Sequence, residues 1–69
     1  MLNPYESKIL TILIKSPRYH NTTEVARAAK ISWNTAEKYL EEMHKRGWLE
    51  KKGRTKFFWK AILPEEDED

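Results

Sequence analysis

A chain of 69 residues without cysteine holds one domain and one modest core, and it excludes disulfides and thiolate zinc sites as supplements to that core. Its net charge of +2 conceals an asymmetry: all 13 Lys and Arg lie between Lys8 and Lys60, whereas Glu65, Glu66, Asp67, Glu68 and Asp69 form an unbroken acidic run. Without that run, 13 basic residues face 6 acidic ones, a body of +7 that suits a polyanion such as nucleic acid, or else a lysine-rich solvated surface.

The first predicted element is a helix over residues 4–16. Asn3 is a good N-cap, Pro4 suits the first helical position, and Ser16-Pro17 ends the run. Its apolar residues Tyr5, Ile9, Leu10, Ile12, Leu13 and Ile14 cover an arc of about 200°, wider than a one-sided stripe needs. Either a second subunit meets part of that arc, making a homodimer through this helix, or other elements of the monomer wrap it on two sides. The stretch is far short of the ~20 residues of a membrane span, and no signal-peptide pattern precedes it, so a soluble cytoplasmic protein is expected.

Asn21-Thr22-Thr23-Glu24 opens the next helix, with either Asn21 or Thr22 as its cap and Glu24 three residues after Asn21, as a capping box wants. Val25, Ala26, Ala28 and Ala29 make it short, over residues 23–29, and its alanines allow a close neighbour. Lys30-Ile31-Ser32 then forms a three-residue connection. Ser32 caps a third helix over residues 33–46, with Ala36, Leu40 and Met43 on its inner stripe and Tyr39 at the edge. Asn34, Glu37, Lys38, Glu41 and Lys45 face away. Lys45 and Arg46 complement the helix C-terminus, and Gly47 fits the left-handed stop.

Residues 48–52 and 56–63 read as the strands of a hairpin turning at Gly53. Phe57, Trp59 and Ala61 share one face, assigned to the core, because Lys56, Phe58 and Lys60 share the other. Phe58 on that charged face is either a partner contact or packed beneath lysine stems. Pro64 ends the strand, and residues 64–69 are expected to be a disordered acidic tail following a domain over 1–63. That tail either competes with a polyanion for the basic body or only aids solubility.

Two helices joined by three residues and followed by a basic hairpin resemble the winged helix-turn-helix superfamily. The resemblance rests on Glu24-Val25-Ala26-Arg27-Ala28-Ala29-Lys30-Ile31-Ser32-Trp33-Asn34-Thr35-Ala36-Glu37-Lys38-Tyr39-Leu40, which looks like the helix-turn-helix itself. It continues through Met43-His44-Lys45-Arg46-Gly47-Trp48-Leu49-Glu50-Lys51-Lys52-Gly53-Arg54, which is similar to the approach to the wing. The fold implied is α+β, mainly α: three helices followed by a two-stranded β-hairpin wing. The function implied is sequence-specific binding of double-stranded DNA by a transcriptional regulator. The same fold also serves protein–protein interaction, and DNA binding in replication or plasmid partition is a narrower alternative.

On that reading the third helix enters the major groove, which admits one helix and meets its first turns. Trp33, Asn34, Thr35, Glu37 and Lys38 occupy those turns. Asn34 suits adenine, Lys38 guanine or a phosphate, Thr35 a thymine methyl or a phosphate, and Glu37 cytosine N4. Trp33 either lies against sugar and phosphate or covers the turn. Glu37, Glu41 and Glu42 oppose insertion of the whole helix. Thr22, Thr23 and Lys30 are phosphate candidates. Lys52, Arg54, Thr55 and Lys56 belong to the wing, with Arg54 suited to the minor groove. His20 and His44 lack partners at ligand spacing, so no metal is expected. Neither glycine belongs to a phosphate-cradling loop and no nucleophile stands beside a base, so neither a cofactor nor an enzyme activity is expected.

Overall fold

The computed structural model describes residues 2–62, and the elements run in the order α1 (Pro4–Lys15), β1 (His20–Asn21), α2 (Thr22–Ala29), α3 (Trp33–Lys45), β2 (Leu49–Lys52) and β3 (Phe58–Ala61). The expected acidic tail, and with it the domain's far boundary, lie outside the described residues.

Each helix starts where its cap residue stands. Asn3 accepts from the Glu6 N–H at 2.8 Å, and the Asn3 N–H donates to the Glu6 carboxylate at 3.2 Å, a complete capping box. Asn21 and Glu24 repeat the device at the head of α2 with the same two distances. Ser32 Oγ accepts from the Thr35 N–H at 3.1 Å at the head of α3. Each of these satisfies a main-chain donor that a helix start otherwise leaves unpaired.

The core gathers Ile9 and Leu13 of α1, Val25, Ala26 and Ala29 of α2, Ala36, Leu40 and Met43 of α3, then Leu49, Trp59 and Ala61. Ala26, Ala29 and Ala36 are all buried, so small side chains stand where α2 and α3 meet. The inner face expected of the second hairpin strand is the one observed: Trp59 and Ala61 are buried and Phe57 packs against the core. The wide apolar arc of α1 is met from within the monomer by α2, α3 and β3. Tyr5 stacks on Tyr39 of α3 at 5.5 Å between centroids, yet Tyr5 and Ile14 remain 47% and 44% exposed.

The wing hairpin is part of a three-stranded antiparallel sheet in the order β1-β3-β2, not an isolated pair. The added strand has only two residues, His20 opposite Trp59 and Asn21 opposite Phe58. Two residues carry no readable alternation, and this strand exists because β3 supplies its hydrogen bonds. Among the described residues the hairpin's second strand covers Phe58–Ala61, starting two residues later than the 56–63 expected from its apolar pattern.

Arg18 and Glu24 tie the approach to α2 at 2.8 Å. The hydrogen bond from Arg18, then that from the Asn21 N–H, hold the Glu24 carboxyl below its ordinary pKa. A carboxyl lowered by folding adds stability above its unfolded pKa, and that contribution disappears as pH falls through the folded value. Replacing Glu24 with Gln is therefore expected to flatten the acid limb of the stability–pH curve. Urea midpoints measured between neutral pH and pH ~3 check it, and the difference shrinks with added salt because the pair is exposed.

Candidate nucleic-acid interface

The geometry of the interface begins at the turn between α2 and α3. Lys30 takes a left-handed conformation with φ 60°, and the Ile31 N–H reaches back to the Ala26 carbonyl at 3.0 Å. That stop turns the chain so that Ser32 begins α3 at once, with Ile31 packed on the core and Lys30 left exposed.

On α3 the buried stripe of Ala36, Leu40 and Met43 fixes what faces outward. Asn34 and Lys38, four residues apart, are both exposed and share the ridge opposite that stripe. Trp33 and Glu37 share the next ridge, turned towards the hairpin. There they line a cleft of about 260 Å³ with Asn21, Thr22, Thr23, Thr55, Lys56 and Phe57. Six residues proposed from sequence — Thr22, Thr23, Trp33, Glu37, Thr55 and Lys56 — thus meet at one place, although they come from α2, α3 and the wing. Trp33 stays 46% exposed, and its ring forms an open wall of the cleft.

Thr22 needs correction as a hydroxyl contact. It is 6% exposed, and its Oγ1 accepts from the Trp59 indole N–H at 2.9 Å. The hydroxyl fixes the core's largest side chain and is withdrawn from the surface. Thr23, its neighbour, is the exposed threonine. Thr35 is also engaged locally, since its Oγ1 accepts from the Ser32 hydroxyl at 2.8 Å.

The wing divides its cations by strand alternation. Lys51 points inward: it pairs with Glu41 at 2.7 Å and lies 4.2 Å and 5.3 Å from the ring centroids of Phe57 and Trp59. This pair neutralises one of the three carboxylates on α3 that oppose a polyanion. Lys52 emerges on the other face of the sheet, with its ammonium 4.8 Å from the Tyr19 ring centroid. Arg54, Thr55 and Lys56 are exposed in the loop joining β2 to β3. Among the described residues, Lys30, Lys38, Lys52, Arg54 and Lys56 make no ion pair, whereas Glu6, Glu24 and Glu41 each have a cationic partner. Three of the six acids of the body are thus paired within the fold, whereas these five cations around α3 and the wing are not.

Both histidines serve the main chain, His20 Nε2 donating to the Ser16 carbonyl at 2.9 Å and His44 Nδ1 to the Leu49 carbonyl at 3.0 Å. Sequence reasoning missed Tyr19, whose hydroxyl donates to Glu50 at 2.7 Å, and the burial of Glu6 beside Arg46 at 3.6 Å. Strand register alone brings Tyr19 to Lys52, and only the capping-box spacing of Glu6 hinted at a role.

The wing turn depends on Gly53. Its φ is +114°, and a Cβ there would stand 2.0 Å from the Lys56 carbonyl oxygen. Gly53→Ala is therefore expected to displace the loop carrying Arg54 and Lys56, lowering duplex affinity about tenfold while the helical far-UV CD signal persists. Gly47→Ala meets nothing within 4 Å and costs only the strain of its φ of +85°, about 1 kcal/mol. A titration of both variants against one duplex separates the two roles.

A model of the family described as sugar-specific transcriptional regulator TrmB matches residues 2–65. Among proteins of curated function, none matches this sequence. Among solved structures, a possible transcriptional regulator from Methanosarcina mazei Go1 is similar, with a TM-score of 0.82 at 13% identity over 90% of this chain. Bordetella bronchiseptica BpsR, whose DNA binding is regulated by 6-hydroxynicotinic acid, matches at 0.82 with 20% identity over 88% of this chain. Lactococcus lactis ZitR, a zinc-responsive MarR family member, matches at 0.77 with 20% identity over 90%. This chain spans 57%, 44% and 44% of those three in turn. These likenesses establish the winged-helix fold.

Proposed function

Since the chain belongs to the TrmB family of transcriptional regulators, we propose that its DNA contact is made by the start of α3 and the loop after β2, acting on one stretch of duplex. The observation that carries this reading is the cleft where Trp33 and Glu37 face Thr23, Thr55 and Lys56. It lies between a helix start that fits the major groove and a cationic loop, so a strand's sugar–phosphate passes through it. Asn34 and Lys38 on the outward ridge then meet base edges, and Thr35 flanks them. Glu37 at the cleft's margin accepts from cytosine N4 where the strand permits. Thr23, Lys30, Lys52, Thr55 and Lys56 hold phosphates, and Arg54 enters the adjoining minor groove. The Trp33 ring lies against deoxyribose.

This is binding without catalysis, carried out in the cytoplasm. No helix among the described residues is long and apolar enough to cross a membrane. Exposed Ile14 on α1 supports homodimerisation through that helix, which would place two reading heads on an inverted repeat.

The test is selection from a randomised duplex pool. Lys38→Ala is expected to relax base preference at one or two positions, costing about 1–3 kcal/mol for the preferred sequence. Lys56→Ala is expected to weaken all sequences alike. No duplex binding even at low salt would overturn the reading, and equal, sequence-blind losses from both variants would remove Lys38 from base recognition.

A further inference from the structure

The cleft between α3 and the wing holds more chemistry than a passing sugar–phosphate uses. Trp33 forms one wall with 46% of its surface exposed, and among the described residues no aromatic ring stacks on it and no cation covers it. Phe57 contributes a second ring. It is half-buried and held by Trp59, 6.5 Å away between centroids, and by the Lys51 ammonium, 4.2 Å from its centroid.

The polar groups around these rings are free. Glu37 stands one turn after Trp33 on the same ridge of α3, and its carboxylate has no cationic partner among the described residues. Asn21 turns its side-chain oxygen to the Glu24 N–H, which leaves its NH2 group to donate elsewhere. Thr23, Thr55 and Lys56 are exposed. An aromatic face and a carboxylate thus come from α3, and donors come from the head of α2 and the wing. A cleft of about 260 Å³ built this way fits a flat heterocycle with N–H groups along one edge.

On the strand path inferred above, a nucleotide's deoxyribose passes Trp33, so the heterocycle nearest the cleft is that nucleotide's own base. A paired base is stacked inside the duplex and shows Trp33 only its sugar. An unpaired base can rotate out about the backbone. Stacking on an exposed ring is worth about 5- to 150-fold in affinity per base. Opening a sound base pair costs free energy of the same order, and a base that is already unpaired largely escapes that cost. The cleft therefore leaves a sound duplex closed and takes up a base without a partner. Glu37 sets which base. Guanine presents two neighbouring N–H donors, on N1 and N2, that one carboxylate accepts together. Thymine presents one N–H flanked by two carbonyl oxygens, which the carboxylate repels.

We propose that the cleft binds an unpaired guanine of DNA, with the base stacked on Trp33 and its N1–N2 edge against Glu37. The proposal rests on the strand path of the interface reading and adds a second substrate to it, DNA that is bulged or locally single-stranded.

The test compares a short duplex with the same duplex carrying one bulged guanine, one bulged thymine or one bulged abasic site, by fluorescence anisotropy at one low salt concentration. The guanine bulge is expected to bind about tenfold tighter than the unbroken duplex, the thymine bulge about threefold tighter and the abasic bulge no tighter. Trp33→Ala is expected to bring the guanine ratio to about one, whereas Trp33→Phe keeps part of it. Glu37→Gln is expected to make the guanine and thymine bulges equal. In NMR spectra the Trp33 indole signals are expected to move further upfield with the guanine bulge than with the abasic one. An abasic bulge bound as tightly as the guanine bulge overturns the proposal, because backbone flexibility alone then explains the gain. A gain that survives Trp33→Ala overturns it, as does a guanine preference untouched by Glu37→Gln. Equal affinity for every duplex overturns it and leaves the interface reading standing. If the unbroken duplex fails to bind while the guanine bulge binds and shifts Trp33, the interface reading fails and this site stands. If nothing binds, both fail.

Discussion

Trp59→Ala is expected to remove most of the folding free energy. Trp59 is wholly buried in the middle strand, packs edge-on to His44 at 6.2 Å between centroids and lies beside Phe57. Truncating such a side chain costs about 3–5 kcal/mol in lost burial and residual cavity. A two-state domain of this length holds roughly 3–10 kcal/mol in all, at about 0.05–0.15 kcal/mol per residue. Urea unfolding followed by far-UV CD should therefore show a population already partly unfolded without denaturant. The hydrogen bond to Thr22 can be separated from the packing. Thr22→Val keeps the shape but leaves the indole N–H buried and unpaired, an expected cost of about 1–3 kcal/mol. Trp59→Phe removes the donor, so the double variant Thr22→Val/Trp59→Phe should cost less than the two single effects added. Strict additivity would mean that the bond contributes nothing specific.

The second large effect is the response of DNA binding to salt. Four cations near the reading face, Lys30, Lys38, Arg54 and Lys56, have no acidic partner among the described residues, and Lys52 on the outer face of the sheet would steepen the slope they set by about 0.9. If each neutralises one phosphate, the slope of log affinity against log salt is about −3.6 per bound domain. Raising salt from 50 to 200 mM should then weaken binding about 150-fold for one domain. Two domains on an inverted repeat would double the slope to about −7, so the same titration reports how many copies engage. A flat response would mean that these side chains do not meet the backbone at all. Arg54→Ala/Lys56→Ala should bring the slope nearer zero by about 2, which ties it to the wing.

The sequence carried the local signals well and the pairing signals poorly. Asn3, Asn21 and Ser32 mark the helix starts because a cap acts within four residues, and all three stand where the structure caps a helix. The inner face of β3 was legible because alternation survives over Phe57, Trp59 and Ala61. The two-residue strand β1 was not, since its existence depends on a partner 39 residues away in sequence, His20 opposite Trp59. Thr22 shows the same limit at the candidate site. A threonine at a helix start fits a phosphate contact on local grounds, and only the position of the Trp59 indole reveals that its hydroxyl faces inward. Lys51 and Lys52 are adjacent and chemically alike, yet register sends the first to Glu41 and the second to Tyr19. The cleft that Trp33 lines with the wing was not legible either, because Trp33 and the wing residues opposite it are more than 20 residues apart in sequence.

The position of β3 between its two neighbours has a mechanical corollary. The strand that leads down from the loop tip is anchored along both margins and, through its indole, to the base of α2. The strand below Phe58 therefore cannot move without disturbing the interior, and only the loop over residues 53–57 above it is free of strand pairing. A signal that loosened DNA binding would have to act on that loop or tilt and space whole domains, because the strand below it and the base of α2 are tied together.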